Sequence, residues 1–114
     1  KSVTKYTNND GGSESSSSVT ATTDYFFLLS EYEVFGEVRL GNVYETNYQE
    51  QYAYYSAGNS KVKYRHDDIN TSTYWWTRSP QIDSTHNFVR VLTNGAYSGT
   101  SANYSLGVAP GFCV

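Results

Sequence analysis

The residue types that bind metals or transfer protons come closest together in the run Arg65-His66-Asp67-Asp68. An imidazole beside two carboxylates offers ligand types for calcium or zinc, and the same groups could exchange protons. A polar surface loop also accounts for this composition, and no spacing links the second histidine, His86, to the run. We therefore expect a polar loop here, with no catalytic residue, no metal and no cofactor.

The chain has one cysteine, Cys113, which lies between Phe112 and Val114. A single cysteine cannot form an intramolecular disulfide, and with only two histidines in the chain it cannot complete a structural zinc site. A cysteine inside an apolar run is expected to be a small buried hydrophobe rather than a nucleophile. The sequence accordingly predicts a protein that is not an enzyme and a fold that forms without disulfides.

Charge and composition exclude several broad classes of protein. The 114 residues carry a formal net charge of -3, 17% are charged, and 17% are aromatic, including 12 tyrosines. This balance argues against disorder throughout the chain and against electrostatic binding of nucleic acid. No apolar run approaches the roughly 20 residues that span a bilayer. Because the chain begins at Lys1 and has no methionine, we expect a piece of a longer product, with any localisation signal outside it.

The elements that must position these groups begin with a polar segment, residues 1–24, which is predicted to be a flexible or edge-strand N-terminal segment. Residues 1–7 alternate enough to form an edge strand, and Asp10-Gly11 is typical of the turn that would leave it. The serine-rich remainder, with little apolar surface to bury, is expected to be a loop.

A domain is predicted to follow over residues 25–114. Residues 25–29 are a short continuous apolar run, which predicts a buried core strand. Ser30 and Glu33 have the spacing of a capping box, so one helical turn should follow and end at Gly36. The tyrosine-rich stretch over residues 40–64 shows no sustained period and is expected to form long ordered loops.

The C-terminal half reads as a series of strands. Pro80 should close the strand over residues 74–80, because proline cannot continue a central ladder. Asn94-Gly95 predicts a type I′ hairpin. The remaining strands are expected at residues 88–92, 96–100 and 107–114. The predicted fold class is α+β, mostly β and loop.

Three short sequence motifs, which occur in the following order, resemble those of a known family: Phe26-Phe27-Leu28-Leu29-Ser30-Glu31, Tyr74-Trp75-Trp76-Thr77-Arg78-Ser79-Pro80 and Gly107-Val108-Ala109-Pro110-Gly111-Phe112-Cys113-Val114. They resemble a C-type-lectin-fold domain family common in gut bacteria and their phages. Its members have a Trp-Trp-x-Arg-Ser-Pro strand and a Gly-Val-x-Pro-Gly-Phe-Cys-like terminus, and several are variable proteins of diversity-generating retroelements.

The resemblance implies a C-type-lectin-like fold over about residues 24–114, with a variable region at residues 82–106. Such domains usually have two helices before the first of these motifs, and residues 1–24 do not supply them. The resemblance therefore implies that this chain is the C-terminal portion of the fold, which a preceding N-terminal segment would complete. It also implies display on a phage virion or a bacterial cell surface.

Residue usage in the tail agrees with diversification by adenine mutation. Such mutation of AAC or AAT codons cannot produce Lys, Glu, Gln, Met or Trp. Residues 82–114 contain none of these five types, whereas residues 1–81 contain 4 Lys, 6 Glu, 3 Gln and 2 Trp. A β-rich tail that is simply poor in Lys and Glu would give the same result, and that alternative stays open.

The tail divides into a constant framework and ligand-binding positions that vary. The framework would comprise Phe88, Val89, Val91, Gly95, Asn103 and residues 107–114. The positions expected to vary and bind ligand are Asp83, Thr85, His86, Arg90, Leu92, Thr93, Ala96, Tyr97, Gly99, Thr100, Ser101, Tyr104 and Leu106. Tyr97 and Tyr104 would be energetic anchors and Arg90 the charged contact, since tyrosine gives large contact area with few torsions to freeze.

These expectations predict a non-enzymatic ligand-recognition domain, a hypervariable receptor-binding or adhesion protein whose partner is a protein or glycan on a cell surface. A rigid framework would hold the variable side chains on one exposed face. This framework would consist of Phe26, Phe27, Leu28, Leu29, Trp75, Trp76, Val108 and Phe112. The alternatives are a fixed-specificity carbohydrate-binding or adhesion module of the same fold, and a structural spacer.

The two adjacent tryptophans bear on the carbohydrate alternative. Trp75 and Trp76 are predicted to be core anchors, although either could stack on a sugar ring, and Arg78 should bond nearby backbone or a carboxylate. The chain has no Glu-Pro-Asn or Trp-Asn-Asp triplet to supply a calcium-dependent sugar site. The same fold class includes formylglycine-generating enzymes, whose chemistry depends on reactive cysteines, and here only Cys113 is available.

Overall fold

Short strands in four separate sheets make up most of the regular structure. The computed structural model describes residues 1–6 and 19–112. The strands in these residues are β1 (Ser2–Tyr6), β2 (Val19–Thr23), β3 (Phe26–Leu28), β4 (Lys63–Tyr64), β5 (Ser72–Thr73), β6 (Trp75–Pro80), β7 (Asn87–Val91), β8 (Tyr97–Ser101), β9 (Gly107–Val108) and β10 (Pro110–Phe112). The helices are α1 (Glu31–Phe35) and α2 (Ala53–Ser56), with a 3₁₀ turn at Val43–Thr46. The mostly-β prediction is confirmed.

The largest sheet has four strands in the order β8-β7-β6-β9. Strands β6, β7 and β8 are antiparallel neighbours, and β9 runs parallel to β6. The other sheets pair β1 with β2, β3 with β10, and β4 with β5. The predicted strands near residues 74–80, 88–92 and 96–100 are confirmed to within about one residue.

Alternation along the four-stranded sheet divides its side chains between an inner and an outer face. The inner face carries Trp75, Val89 and Val91, all almost fully buried. It packs on the core cluster formed with Val3, Phe27, Leu29, Val34 and Tyr55. The position of Val3 shows that β1 is part of the core rather than a loose edge.

The local signals around α1 behave as predicted. Ser30 caps the helix by accepting a hydrogen bond from the Glu33 amide, and the Glu33 carboxylate accepts from the Ser30 amide, so the capping box is confirmed. Gly36 ends the helix with a φ of 74°, in the left-handed region that glycine adopts without steric cost.

Several predictions for the N-terminal part need correction. Residues 19–23 form β2 instead of continuing a loop, because they pair along the whole length of β1. The run at residues 25–29 is not buried throughout: Phe27 and Leu29 are buried, whereas Tyr25 and Phe26 are exposed, since only alternate residues of a strand meet the core. The predicted turn at Asp10-Gly11 lies outside the described residues.

Two other local predictions also differ from the structure. The stretch over residues 40–64 contains a 3₁₀ turn and α2, so it is not loop alone. The β7–β8 connection is not a type I′ turn, because Gly95 has a positive φ while Asn94 does not. The Gly95 amide donates to the Leu92 carbonyl, as in a three-residue hairpin loop that ends in glycine.

Candidate functional site

The outer face of the four-stranded sheet is the most aromatic surface that the fold leaves open. Trp76 lies opposite Arg90, and Phe88 lies opposite Pro80, so these side chains share the face. The Trp76 and Phe88 rings meet edge to face, with centroids 6.4 Å apart. Tyr74, two residues before Trp76, lies on the same side and is exposed. We call this surface, formed by Tyr74, Trp76, Phe88 and Arg90, the aromatic face.

An open cavity of about 280 Å³ lies on the aromatic face. Its walls are almost entirely apolar and come from four separate parts of the chain. The lining residues are Leu28, Trp76, Thr77, Arg78, Phe88 and Ala102. This volume is close to the lower end of the range for small-molecule ligand pockets, about 300 Å³.

Beside the cavity, exposed apolar side chains extend the aromatic face. Phe26 pairs with Phe112 across the β3–β10 sheet, and their ring centroids are 6.5 Å apart. Val108 lies opposite Trp76 on β9. The side chains of Phe26, Phe112 and Val108 are 77%, 63% and 66% exposed, so these members of the predicted framework lie at the surface and not in the core. They point away from the core because they alternate with its residues.

The other large side chains of the predicted framework differ in burial. Phe27, Leu29 and Trp75 are buried, and the Trp75 Nε1 donates to the Lys61 carbonyl at 3.0 Å. Trp76 and Leu28 are half-buried and line the cavity instead of anchoring the core. One tryptophan of the adjacent pair therefore stabilises the fold, and the other faces the open surface.

Arg90 stacks its guanidinium group on the Tyr74 ring, with the central carbon 4.4 Å from the ring centroid. The Nε atom of Arg90 is buried and has no hydrogen-bond partner in the part of the chain that the structure describes. Stacking occupies the flat side of a guanidinium and leaves its N–H donors pointing outward in the plane. Arg90 can therefore donate to a group that arrives at the aromatic face.

A buried ion pair between Arg78 and Glu33 connects β6 to α1. The Arg78 guanidinium donates to Glu33 and to the Leu28 carbonyl, which confirms the predicted role of Arg78. Lys1 Nζ also bonds Glu33, at 2.8 Å. Burial alone would raise the pKa of Glu33, but the Arg78 charge and the hydrogen bonds from Arg78, Lys1 and Ser30 outweigh it and hold that pKa below its usual value.

Two more buried carboxylates lie beside this ion pair. Glu31 accepts hydrogen bonds from the amides of residues 39–41 and fixes that loop. Neither carboxylate oxygen of Glu45 meets hydrogen-bond geometry with any described residue. Burial raises the pKa of Glu45 to about 7, and the Glu31 and Glu33 charges add to this, against the smaller effects of the Ser79 hydroxyl and Arg78. Three carboxylates, those of Glu31, Glu33 and Glu45, are thus buried inside the fold.

The positions predicted to vary are all at least partly open to solvent. None of the thirteen, which lie between residues 83 and 106 in the described part of the chain, is buried. The exposed ones are Asp83, Thr85, His86, Ala96, Tyr97 and Tyr104. The half-buried ones are Arg90, Leu92, Thr93, Gly99, Thr100, Ser101 and Leu106.

These positions do not form the single face that was expected, because successive residues of a strand point to opposite faces. Arg90 lies opposite Ser98, and Thr100 opposite Phe88, on the aromatic face. Tyr97 lies opposite Val91 and packs edge to face on Phe35, with centroids 5.7 Å apart. Arg90, the predicted charged contact, and Tyr97, one of the two predicted energetic anchors, are therefore on different sides of the sheet.

The remaining positions divide between the two ends of the sheet. Asp83, Thr85, His86, Ser101 and Tyr104 are at the end where the Ala102 amide donates to the His86 carbonyl. Leu92, Thr93 and Ala96 are at the opposite end, around the hairpin loop. Gly99 faces Gln81, and Leu106 lines a separate cavity with residues of the β4 region.

The run at residues 65–68 forms a locally bonded loop. Arg65 holds Asp67 with two hydrogen bonds of 2.7 and 2.8 Å, and Asp68 accepts from Thr71 and from the Asn70 amide. These hydrogen bonds hold the pKa of each aspartate below its usual value. Among the described residues, no group of three His, Cys, Asp or Glu side chains could hold a metal ion. Cys113 lies outside the described residues.

Sequence reasoning missed the aromatic face as a unit. The sequence places Tyr74 in a strand and predicts no part for it in binding, and it places Phe88 in the constant framework of the tail. Alternation could have indicated the face, because Tyr74 and Trp76 are two positions apart on one strand, and Phe88 and Arg90 are two positions apart on the neighbouring strand. The Leu28 wall of the cavity had no comparable signal, since residues 28 and 76 are far apart in the chain.

The described residues contain no helix long and apolar enough to cross a membrane.

The comparisons with known proteins bear on family membership alone. No curated protein and no solved structure matches the chain. One family model matches residues 1–114, and its description is "Domain of unknown function (DUF6273)". The chain therefore belongs to the DUF6273 family.

Proposed function

We propose that this chain is a non-enzymatic ligand-recognition domain that binds its partner through the aromatic face. The observation that carries this proposal is the open, apolar cavity beside half-exposed Trp76 and Phe88, next to the Arg90 guanidinium, which pairs with no carboxylate of the described residues. Exposed apolar surface on a small domain commonly marks an interaction site. Aromatic and arginine side chains are also the types that dominate binding energy at interfaces.

The proposed mechanism is contact rather than chemistry. The carboxylates with the most unusual settings, Glu33 and Glu45, are fully buried. Their neighbours are hydrogen-bonded parts of the fold. Groups held in this way stabilise the sheet and are not available to a substrate, which favours a binding domain over an enzyme.

The finer parts of the proposal rest on the sequence resemblance. We propose a C-type-lectin-like fold, of which this chain is the C-terminal portion, and a region at residues 82–106 that a retroelement diversifies. The domain would be displayed on a phage virion or a bacterial surface and would bind a protein or glycan of another cell. Support comes from the residue usage of the tail and from the solvent access of all thirteen proposed variable positions.

Diversification is tested by sequencing the codons for residues 82–114 in the source population, together with any nearby near-copy of that DNA. We expect substitutions only at adenines of the near-copy, and only at codons for solvent-accessible residues. The codon for Val89, which is buried between two proposed variable positions, is the internal control. Invariant codons, or changes without adenine bias, would overturn the hypervariable reading and leave a domain with one fixed ligand.

A fixed-specificity carbohydrate-binding module is the second candidate, favoured by the half-exposed Trp76, which could stack on a sugar ring. A glycan array decides this, with Trp76→Ala as the test variant. Tyr48→Asn is the matched control, because Tyr48 is an exposed aromatic residue away from the aromatic face and asparagine tolerates its φ of 60°. Saturable binding of one sugar class, lost only in Trp76→Ala, supports this candidate.

A further inference from the structure

The aromatic face holds a positive charge that the fold does not neutralise. Each of the other three arginines in the described residues pairs with a carboxylate: Arg39 with Glu37, Arg65 with Asp67 and Arg78 with Glu33. Within the described residues, the contact found for the Arg90 guanidinium is its stacking on the Tyr74 ring. Its Nε is buried without a partner, whereas its terminal nitrogens are not among the buried unpartnered atoms of the described residues and can reach an incoming group.

This arrangement suits a carboxylate better than a neutral group. A guanidinium group presents parallel N–H donors at the spacing of the two oxygens of a carboxylate, and charge-assisted bonds are about twice as strong as neutral ones. Removing Arg90 from water without such a partner carries a desolvation penalty. An arriving anion would offset that penalty, so charge complementarity points to an acidic group on the ligand.

The cavity beside Arg90 selects a second property of the ligand. Trp76 lies directly opposite Arg90 on the neighbouring strand, and strands are about 5 Å apart. Both polar side chains in the cavity wall make hydrogen bonds within the fold: the Thr77 hydroxyl donates to the Val89 carbonyl, and Arg78 Nη1 donates to the Leu28 carbonyl and to Glu33. The rest of the wall is apolar, so most hydroxyls of a sugar placed there would lose their hydrogen bonds to water without replacement. A large apolar side chain, aliphatic or aromatic, has no hydrogen bonds to water to lose on entering the cavity.

We propose that the aromatic face binds an extended segment of a partner protein that carries a large apolar side chain close to an Asp or Glu. The apolar side chain fills the cavity, and the carboxylate pairs with Arg90. At about 3.3 Å per residue, an extended segment spans the short distance between the two contacts within about one to three positions. This inference rests on the proposed function and narrows its ligand from a protein or glycan to an acidic, apolar peptide segment.

The test selects a displayed library of random peptides on the full chain. We expect enriched peptides to carry an aromatic or large aliphatic residue within three positions of an Asp or Glu. Synthetic labelled copies of an enriched peptide then give a Kd. Replacing its acidic residue by the matching amide should weaken binding about ten- to a hundredfold, the usual range for a hydrogen bond to a charged group.

Variants of the protein locate the site. Arg90→Gln should weaken the peptide by a similar factor, and Arg90→Glu should shift the library towards peptides with Lys or Arg. Arg39→Gln is the matched control, since it removes an equal charge from an exposed arginine that is already paired with Glu37. Ala102→Leu should block the cavity from its exposed wall without touching the core. Circular dichroism confirms that each variant is folded.

The outcomes separate this inference from the proposed function. No enriched peptide, enrichment without acidic residues, or equal effects of Arg90→Gln and Arg39→Gln would overturn the peptide inference. If a glycan then binds in a manner sensitive to Trp76→Ala, the domain is still a recognition module and only the ligand class was wrong. Self-association of the chain that Ala102→Leu abolishes would overturn both, because the aromatic face would then be a contact between copies.

Discussion

The two faces of the four-stranded sheet use the same residue types in opposite ways. On the inner face, Trp75 is buried and its Nε1 is hydrogen-bonded, and the Thr77 hydroxyl is bonded to its neighbouring strand. On the outer, aromatic face, Trp76 is half-exposed and the Arg90 Nε has no partner among the described residues. The polar atoms of Trp75 and Thr77 on the inner face are therefore hydrogen-bonded, whereas Nε of Arg90 on the outer face has no partner among the described residues.

This difference separates stability from recognition within a single layer of strands. Satisfied polar atoms contribute to a unique fold, whereas an unsatisfied one is a place where a ligand gains more than water offers. Inner-face substitutions should lower the free energy of unfolding, and outer-face substitutions should act mainly on binding. The predictions below test this separation, beginning with the largest change in stability.

The largest loss should follow from breaking the buried ion pair between Arg78 and Glu33. Glu33→Gln keeps the size of the side chain and one acceptor for the Ser30 amide, but it leaves the Arg78 charge buried without its carboxylate. Such a change typically costs about 3–5 kcal/mol of unfolding free energy. Urea unfolding measures it. Glu37→Gln is the control, because it breaks an exposed pair with Arg39 that should contribute less than about 1 kcal/mol. Equal losses would contradict this prediction.

The pH dependence of stability should reveal Glu45. Its pKa of about 7 is raised above the value of 4.5 for an unperturbed glutamate, so the folded chain binds a proton more tightly than the unfolded chain. The resulting stability is complete below about pH 4.5 and is lost as the pH rises through about 7. The loss is on the order of 3 kcal/mol, from about 1.4 kcal/mol for each unit of pKa change.

Unfolding in urea at several values between pH 5 and pH 8 measures this dependence. Glu45→Gln, which cannot lose a proton, should remove most of it. Glu33 acts in the opposite direction, since its lowered pKa means that its contribution is lost as the pH falls through that pKa. Stability that rises steadily from pH 5 to pH 8 would show that Glu45 is not buried as described.

Adjacent residues of β7 provide a closer comparison of the two faces. Val91→Ala should cost about 2 kcal/mol, because it opens a cavity in the core cluster. Arg90→Ala should cost less than about 1 kcal/mol, the contribution of a stacking contact with Tyr74 at a partly exposed site. Thermal unfolding of both variants checks this order, and a greater loss for Arg90→Ala would mean that the aromatic face is part of the core.

Local signals predicted local structure well. The capping box of Ser30 and Glu33, the end of α1 at Gly36 and the strand closed by Pro80 all depend on residues within a few positions of one another. The pairing of β2 with β1 was missed because the serine and threonine residues around β2 resemble a loop in composition. Nothing within that segment shows that another strand lies beside it.

The candidate site was only partly predictable for the same reason. The solvent access of the thirteen proposed variable positions agrees with the small or polar type of most of them, and the alternating faces follow from strand geometry. The cavity needs Leu28 beside Trp76 and Phe88, which is a tertiary contact. Burial of Glu31 and Glu45 was equally hidden, because charged residues are rarely buried and their amide and ion partners lie on other elements.

The smallest change in the free energy of unfolding is expected at the exposed positions that the proposed function requires to vary. Thr85, His86, Ala96 and Tyr104 are exposed at the two ends of the sheet, so replacing each by serine should change the unfolding free energy by no more than about 0.5 kcal/mol. The changes should add, because positions at opposite ends share no partners.

Thermal unfolding of the fourfold variant, beside Val89→Ser alone, tests this tolerance. Val89→Ser places a hydroxyl in the fully buried inner face and should lower stability more than the four exposed changes together. If the fourfold variant is the less stable, the exposed loops contribute to the fold and could not vary freely. The expected order would mean that sequence change at the sheet ends leaves the aromatic face supported, which a diversified binding domain requires.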